Sequence, residues 1–356
     1  MIRGTMEDWS GRRLAWGVLT VGVALVMACD REPAGPDVAG TAEATTFAAA
    51  KGGGTSWRYT GVVPLAGDQA VRLSDVNDAG VAVGRSFDAT WRQRPMLRAG
   101  ATSLALVVDG GEGAAWAVSN GASPFVAGQR LGEDGLYHPV RWTVTLGAAP
   151  GWSETVLADE GYAMDVNGAG DLVGRAEPDA AIWRASGERI VVLPPAGGFT
   201  GGQARAINDA GHIVLWFSGP GTGEQGYLRL PDGSLRILPP ATGGSSAVGW
   251  DVSDVTTDGA VYVAGTSGGH PAQWTFDATT GMVRNIRVMT DGGEGRAISG
   301  TGDLAGWKGT SSTQPMVWTD ATGVALPLPR GTRSGRVWAI SANGRFAVDD
   351  ALLWSR

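Results

Sequence analysis

The chain has 356 residues, of which 43% are hydrophobic, 57 are glycine and 15 are tryptophan. This composition supplies enough apolar material for a large core, and the many glycines predict many turns. The formal net charge of −7 argues against nucleic-acid binding, because the sequence has no basic stripe that could neutralise phosphate groups.

The first 28 residues have the features of an export signal. Arg3, Arg12 and Arg13 form a positive segment, and residues 14–28 are an uncharged run that is too short for an ordinary membrane span. The run ends in Val-Met-Ala before Cys29, and this resembles the lipobox of bacterial lipoproteins. The resemblance implies that Cys29, the only cysteine of the chain, is lipidated. A secretory signal that is cleaved elsewhere is the alternative.

Residues 29–54 are expected to form a flexible tether between this anchor and a folded domain at 55–356. The segment is rich in Ala, Pro, Gly and Thr and has one large apolar residue, Phe47, so it cannot bury enough surface to offset its ordering entropy. We therefore expect an extracytoplasmic domain that is attached to a bacterial cell membrane through lipid. The sequence leaves the choice of membrane open.

The folded domain is predicted to consist of seven copies of one pattern. Each copy has an apolar residue followed by Asn or Ser, a turn that ends in Gly, a short apolar strand, and a strand that closes on an aromatic residue. The Asn or Ser positions are Asn77, Ser119, Asn167, Asn208, Ser253, Ser299 and Ser341. Their mean spacing of about 44 residues is typical of one propeller blade, so we predict an all-β, seven-bladed β-propeller.

Each copy contains four short strands. One is a run such as Leu104–Val108 or Arg236–Pro240, and the next leads to the Asn or Ser. A turn follows, and in five copies Gly stands three residues after the Asn or Ser, as at Gly80 and Gly170. An Asn or Ser that opens such a turn can accept a bond from the backbone two residues on, and Gly tolerates the unusual dihedral angles at its end.

The last strand of the copies has an aromatic stripe and apolar neighbours on both faces. The stripe consists of Trp142, Trp183, Trp274, Trp318 and Trp354, with Arg98 and Arg229 at the same position in copies one and four. Such a strand is covered on both faces, so we expect these tryptophans between blades. The strand that begins near Thr60 is expected to complete the last blade and close the ring. An open solenoid is the alternative.

Several copies resemble a known repeat. The segments at 204–216, 165–174 and 297–306 look like the extracellular HAF repeats of bacteria, and the resemblance covers residues 57–356. It implies a secreted, propeller-like protein without a generally known activity. The His-Ala-Phe string itself is absent, because His138 and His270 are each followed by Pro.

A second set of equivalent positions stands four residues before the closing aromatic position, and every member is polar. We call this set the polar column: Arg94, His138, Asp179, Gln225, His270, Gln314 and Asp350. A polar ring at the propeller axis would suit a ligand site. The alternative is that residues in a turn before a strand are polar because they are wet.

Five further tryptophans lie near the turns and outside the aromatic stripe. They are Trp116, Trp216, Trp250, Trp307 and Trp338. Exposed on a propeller rim they would stack on sugar rings or fill pockets of a partner, whereas under the loops they would pack into the core.

No catalytic constellation, metal site or cofactor is predicted. Residues 265–269 match the string of a nucleophile elbow but are not followed by a helix. Asp165, Asn167 and Asp171 lack the remaining ligands of a calcium loop. We therefore expect a binding or scaffold module for an envelope protein or a glycan. A polysaccharide hydrolase or lyase that uses His138 or His270 of the polar column as acid or base is the alternative.

Overall fold

The structure is a computed structural model, and it describes residues 56–108, 110–147, 149–195, 198–220, 223–241, 246–320 and 323–356. The chain divides into two units, Met1–Thr41 and Ala42–Arg356. Cys29 and the predicted signal and tether at 1–54 lie outside the described residues. The remainder of this section concerns the second unit.

The described residues form seven four-stranded antiparallel sheets and no helix. In six of them the four strands follow one another along the chain, and the innermost strands of successive sheets contact one another around a closed ring. The seventh sheet combines the three last strands of the chain with the first one, in the order β1-β28-β27-β26. The predicted seven-bladed β-propeller, closed by the N-terminal strand, is confirmed.

Strands are numbered in chain order, and each blade is described from the axis outward. The innermost strands of blades 1 to 7 are β2 (Ala70–Val76), β6 (Gly113–Val118), β10 (Gly161–Val166), β14 (Gly201–Ile207), β18 (Ala247–Val252), β22 (Gly293–Ile298) and β26 (Ala339–Ile340). The second strands are β3 (Ala82–Phe87), β7 (Phe125–Leu131), β11 (Leu172–Ala176), β15 (Ile213–Gly219), β19 (Ala260–Ser267), β23 (Leu304–Lys308) and β27 (Phe346–Asp349).

The third strands carry the closing position, which is aromatic in five blades, and the fourth strands are outermost. The third strands are β4 (Gln93–Ala99), β8 (Tyr137–Thr145), β12 (Asp179–Trp183), β16 (Gly223–Arg229), β20 (His270–Asp277), β24 (Gln314–Trp318) and β28 (Leu352–Ser355). The outermost strands are β5 (Thr102–Ala105), β9 (Gly151–Val156), β13 (Arg189–Val192), β17 (Leu235–Ile237), β21 (Val283–Val288), β25 (Val324–Ala325) and, in blade 7, β1 (Arg58–Gly61).

The outermost strands begin earlier in the sequence than predicted. In blade 4 the predicted run was Arg236–Pro240, whereas β17 covers Leu235–Ile237, and the prolines follow the strand. The same shift occurs in blade 1, where β5 ends at Ala105. Proline cannot donate to a strand ladder, so Pro239 and Pro240 mark the exit from the sheet in blade 4.

The predicted turn chemistry is confirmed at the hairpins between first and second strands. Asn77 Oδ1 accepts bonds from the backbone N–H of Ala79 at 3.1 Å and of Val81 at 3.0 Å. The Asn77 amide also donates to the carbonyl of Ser119 in the next blade at 3.0 Å. The terminal glycine Gly80 has a φ of +72°, which favours glycine. These turns therefore join neighbouring blades as well as closing their own hairpins.

The aromatic stripe lies between blades, as predicted. Trp142, Trp274, Trp318 and Trp354 are fully buried. Trp142 packs with Val83 of blade 1 and Val126 of blade 2, so one indole fills the space between two sheets. None of the described residues belongs to a helix that is long and apolar enough to cross a membrane.

Candidate functional site

One cavity of about 210 Å³ is lined by residues of the innermost strands of all seven blades, so it lies on the ring axis. We call it the axial cavity. It extends from the middle of these strands to the hairpins that follow them, and we call that end of the ring the turn face. The opposite end is the loop face, which carries the hairpins between second and third strands and the loops that enter each blade.

A β-bulge shapes the wall of the cavity in blades 1 to 6. In each innermost strand the pairing shifts by one residue, as between Ala163 and Asp165 in β10. The extra residue in a bulge is unpaired and turned away from the ladder. The bulge residues are Ser74, Trp116, Met164, Arg205, Trp250 and Arg296. Four of these six are arginine or tryptophan, and Trp338 of blade 7 lines the same cavity.

Arginine and tryptophan side chains stack on one another across blades 4 to 7. The Trp250 ring centroid lies 4.7 Å from the Arg205 guanidinium carbon and 3.9 Å from that of Arg296. Arg296 also lies 5.5 Å from the Trp338 ring. We call this group the arginine–tryptophan ladder; its members are Arg205, Trp216, Trp250, Arg296, Trp307, Arg336 and Trp338. The contacts are within the range of cation–π interactions.

Several indole N–H groups of this region are buried and have no hydrogen-bond partner among the described residues. They belong to Trp116, Trp216 and Trp250. The Gln203 side chain, which pairs across the sheet with Trp216, is fully buried, and neither of its amide atoms has a partner in this part of the chain. Buried polar groups are normally hydrogen-bonded. The indole N–H of Trp142, which packs between blades and does not line the cavity, also has no partner in the described part of the chain, so a missing partner does not by itself mark a ligand site.

Three aspartates line the axial cavity at the position after the bulge. Asp75, Asp165 and Asp251 occupy blades 1, 3 and 5. Each carboxylate accepts the backbone N–H of its own following residue and one N–H from the next blade. The interblade bonds are 2.8 Å from Val118, 2.7 Å from Ile207 and 2.8 Å from Ile298. We call these residues the aspartate ring.

The interblade hydrogen bonds of the aspartate ring link neighbouring blades in pairs. Asp75 joins blades 1 and 2, Asp165 joins blades 3 and 4, and Asp251 joins blades 5 and 6. Alanine fills the same position in the remaining blades: Ala117, Ala206, Ala297 and Ala339. Seven blades cannot be divided into pairs, so blade 7 stands outside this pattern.

Burial of the aspartate ring shifts its titration. Desolvation raises the pKa of Asp75 to about 6 and that of Asp251 to about 7, although the backbone N–H bonds oppose the shift. The pKa of Asp165 is raised well above its ordinary value, first by desolvation and further by the charges of Asp75 and Asp251. Electrostatic repulsion between the three carboxyl groups therefore acts across the cavity, and they titrate at higher pH than solvent-exposed aspartates.

The rim of the cavity at the turn face is acidic. Asp78, Asp209 and Asp254 each follow the Asn or Ser of their blade, and their carboxylates accept backbone N–H groups from neighbouring blades at 2.6–3.1 Å. Burial raises the pKa of Asp254, and the charges of Asp209 and Asp78 raise it further. A ligand that enters from this side passes a negatively charged edge.

The polar column lies elsewhere. Its residues stand at or next to the beginning of the third strands, two strands away from the axis and at the loop face. None of the seven is among the residues that line the axial cavity. The expected axial position of Arg94, His138, Asp179, Gln225, His270, Gln314 and Asp350 is therefore not observed, because third strands do not reach the axis. Their assignment as ligand-binding residues stays a prediction.

Members of the polar column are engaged locally. Arg94 forms an ion pair with Asp68. His138 Nε2 lies 2.9 Å from Asp134 Oδ2, and this hydrogen bond raises the His138 pKa.

Other members hold the loops that enter the blades. His138 Nδ1 lies 2.9 Å from the carbonyl oxygen of Asp159, and His270 Nδ1 lies 3.3 Å from that of Asp291. Gln225 donates to the carbonyl of Leu238 at 3.2 Å. In these members the polar side chain fixes a hairpin against the loop beside it.

The five tryptophans outside the aromatic stripe are not exposed on the rim of the propeller. Trp216 and Trp307 are 8% and 5% exposed, and Trp116, Trp250 and Trp338 are partly buried around the cavity. The expected packing in the interior is observed, and exposure on the rim is not; three of the five line the axial cavity.

Sequence reasoning missed three features. The aspartate ring was visible as an alternation in the copies, where Asp stands two residues before Asn77, Asn167 and Ser253 and Ala stands there in the other four copies. The arginines of the ladder gave no comparable signal. Trp91 was also missed. It is 58% exposed on the loop face, with a φ of +64° that is unusual for a bulky residue.

No protein-family model and no curated protein matches the chain. Among solved structures, TolB from Acinetobacter baumannii is similar at 13% identity and a TM-score of 0.42, over 79% of this chain and 65% of TolB. The SapL1 lectin in complex with alpha methyl fucoside is similar at 12% identity and a TM-score of 0.39, over 73% and 97% of the two chains. A gluconolactonase from Xanthomonas campestris is similar at 14% identity and a TM-score of 0.42, over 91% and 98%. At these identities the likeness concerns the fold alone.

Proposed function

We propose that the protein is a lipid-anchored, extracytoplasmic binding module of the HAF-repeat type that takes a glycan or protein partner at its axial cavity. The observation that carries this proposal is the composition of the cavity wall. Partly buried indoles, arginines stacked on them and three carboxylates converge there from all seven blades. Ligand sites are concave and combine apolar or aromatic surface with a few convergent polar groups.

Two buried indole N–H groups of the cavity wall offer hydrogen-bond donors to a ligand. Trp116 and Trp250 line the cavity, and their Nε1 atoms have no acceptor among the described residues. An unsatisfied buried donor costs about 1–3 kcal/mol. A ligand with acceptor oxygens would remove this cost.

A glycan array with bacterial envelope glycans tests the binding site. We expect wild-type protein to bind a subset of the array, and we expect Trp250→Ala to lose that binding. His138→Ala is the matched comparison, since it removes a ring of the polar column and should bind as the wild type does. Loss of binding in His138→Ala with full binding in Trp250→Ala would move the site to the polar column.

The lipid anchor is tested separately. The proposal rests on the sequence around Cys29, which has the lipobox resemblance. Cells that express the protein should incorporate a clickable fatty-acid analogue into it, and the protein should fractionate with membranes. Cys29→Ala should lose both properties. A labelled Cys29→Ala protein, or a wild-type protein that is released without lipid, would contradict the anchor.

The hydrolase or lyase alternative is tested on the same variants. It requires His138 or His270 to meet a substrate, whereas both rings contact loop carbonyls on the loop face. If a glycan of the array is cleaved, the His138→Ala and His270→Ala double variant should lose the cleavage. Full cleavage by that variant would exclude these histidines as acid or base.

A further inference from the structure

The size of the axial cavity limits what it can hold. Its volume is about 210 Å³, below the roughly 300–1,000 Å³ of pockets that enclose drug-sized ligands. A single sugar residue or a molecule of similar size fits this range better than a longer segment. The cavity also extends to the turn face, so a residue at the end of a chain could enter while the rest of the chain stays outside.

The inner end of the cavity supplies hydrogen-bond donors. Arg205, Trp250 and Arg296 meet there, with both guanidinium carbons within 5 Å of the Trp250 ring centroid. The Nε1 atoms of Trp116 and Trp250 are buried donors without an acceptor in the described part of the chain. Guanidinium and indole N–H groups can donate and cannot accept. The Arg296 guanidinium also pairs with Glu294 at 2.7 Å, so the two indoles are the donors that a ligand with acceptor oxygens would meet at this level.

The next level of the cavity supplies acceptors. An ionised carboxylate has about four lone-pair positions, and each carboxylate of the aspartate ring uses two of them for backbone N–H groups. Asp75, Asp165 and Asp251 line the cavity with the remaining acceptor capacity. While these carboxylates are ionised, a ligand at this level meets acceptors and has to offer hydrogen-bond donors. Hydroxyl groups meet both requirements, because each can donate and accept.

The charge of the wall disfavours an acidic ligand. The residues that line the cavity include five aspartates, namely Asp75, Asp165, Asp209, Asp251 and Asp254, against Arg205 and Arg296. Asp78 adds a further carboxylate beside the rim at the turn face. A carboxylate ligand would pass this edge and lie beside the aspartate ring, and like charges at short range are repelled.

We propose that the axial cavity binds one uncharged sugar residue, at the end of a glycan, that enters from the turn face. Its hydroxyl groups bridge the donors around Trp250 and the acceptors of the aspartate ring. This inference rests on the proposed function and narrows the glycan or protein partner to a glycan with a neutral terminal residue. The raised pKa values of Asp75 and Asp251 support it, since a neutral hydroxyl group can bind beside a desolvated carboxyl group at a lower cost than a second negative charge.

The test compares neutral sugars with sugars that carry a carboxylate in place of the hydroxymethyl group. Saturation-transfer NMR and calorimetry would compare the methyl glycosides of glucose, galactose and mannose with the methyl glycosides of the corresponding uronic acids at pH 8, above the pKa values of Asp75 and Asp251. We expect at least one neutral glycoside to bind, and we expect its uronide to bind at least tenfold more weakly. Uronides that bind as tightly as the neutral sugars, or more tightly, would overturn the inference.

Two variants connect the binding to the wall. Asp165→Ala should weaken the neutral sugar at least tenfold, and Trp250→Phe, which removes the indole N–H and keeps an aromatic face, should weaken it severalfold. Asp88→Ala is the control, because Asp88 caps an exposed hairpin on the loop face. Circular dichroism verifies that each variant is folded. Unchanged binding in both wall variants would overturn the inference.

The outcomes separate the inference from the proposed function. If the array glycans that bind end in acidic sugars, and their binding is lost in Trp250→Ala, the inference of a neutral sugar is wrong and the proposed axial site is supported. If no sugar binds and no glycan of the array binds, both fail.

Discussion

Arg296 and Trp250 belong to neighbouring blades and are stacked with 3.9 Å between the guanidinium carbon and the indole centroid. Both are bulge residues of innermost strands, so two local irregularities meet at the wall of the axial cavity. Arg205 lies 4.7 Å from the same indole. One tryptophan therefore connects blades 4, 5 and 6 at the place where we locate the binding site.

Removing this indole should destabilise the ring. We expect Trp250→Ala to lower the free energy of unfolding by about 3 kcal/mol, because it deletes packing and two cation–π contacts. Trp250→Phe keeps a ring face and should cost about 1 kcal/mol. Urea unfolding followed by circular dichroism measures both values. A Trp250→Ala variant within 0.5 kcal/mol of wild type, on the order of a surface substitution, would show that the stack contributes little.

The aspartate ring should make stability depend on pH. Asp75 and Asp251 have raised pKa values of about 6 and 7 in the folded state, so the folded state binds more protons than the unfolded state between pH 4 and 7. The free energy of unfolding therefore falls as pH rises through this window, by at most about 1.4 kcal/mol per pH unit for one group. Thermal unfolding of wild type between pH 5 and 8 should show this fall.

The Asp251→Asn variant tests the origin of that dependence. It cannot ionise, so its unfolding temperature should change less between pH 5 and 8 than that of wild type. Asp88→Asn is the control. Hydrogen bonds to Thr90 lower the pKa of Asp88, so its contribution is lost only in more acidic solution. Identical pH profiles for wild type and Asp251→Asn would contradict the predicted role of Asp251.

Glycines opposite the bulges should be sensitive to any side chain. A Cβ atom on Gly174 would lie 2.0 Å from the carbonyl oxygen of Tyr162 and 2.9 Å from Ala163 Cα. Backbone atoms cannot move aside cheaply, so we expect Gly174→Ala to cost about 2–3 kcal/mol. Gly151→Ala is the matched control, because nothing lies within 4 Å of its added Cβ. Equal unfolding midpoints for the two variants would show that the bulge region relaxes freely.

The closing strand should be necessary for a stable ring. Tyr59 of β1 is 9% exposed and pairs with Trp354 of β28. We expect Tyr59→Ala to lower the free energy of unfolding by about 3 kcal/mol through lost core packing. Thr60→Ala, an exposed position in the same strand, should cost less than about 0.5 kcal/mol. Similar values for the two variants would argue against closure by β1.

The architecture could be predicted because the repeated sequence pattern determines the blade. The spacing of Asn77, Asn167 and the equivalent residues predicted the blade count, and the glycine of the turn predicted the hairpin. The strand near Thr60 was expected to complete the last blade, and β1 does so. The turn signal recurs in successive copies, and one copy corresponds to one blade.

The site could not be predicted in the same way. The polar column was aligned correctly along the chain, but distance from the axis depends on the rank of a strand within its blade, and His138 lies on a third strand. The contact of Arg296 with Trp250 arises from bulges in two blades, and no pattern within a single copy encodes it. Asp165 was visible as part of an alternation, yet its partner Ile207 belongs to the next copy.

Hydrogen exchange on addition of a bound glycan tests the central claim, that the ligand occupies the axial cavity. The strongest binder of the array would be added, and the exchange of backbone amides would be followed by mass spectrometry. We predict protection of peptides that contain Val118, Ile207 and Ile298, whose amides bond to the aspartate ring. Protection confined to peptides around His138 and His270, with none in the innermost strands, would contradict the axial site.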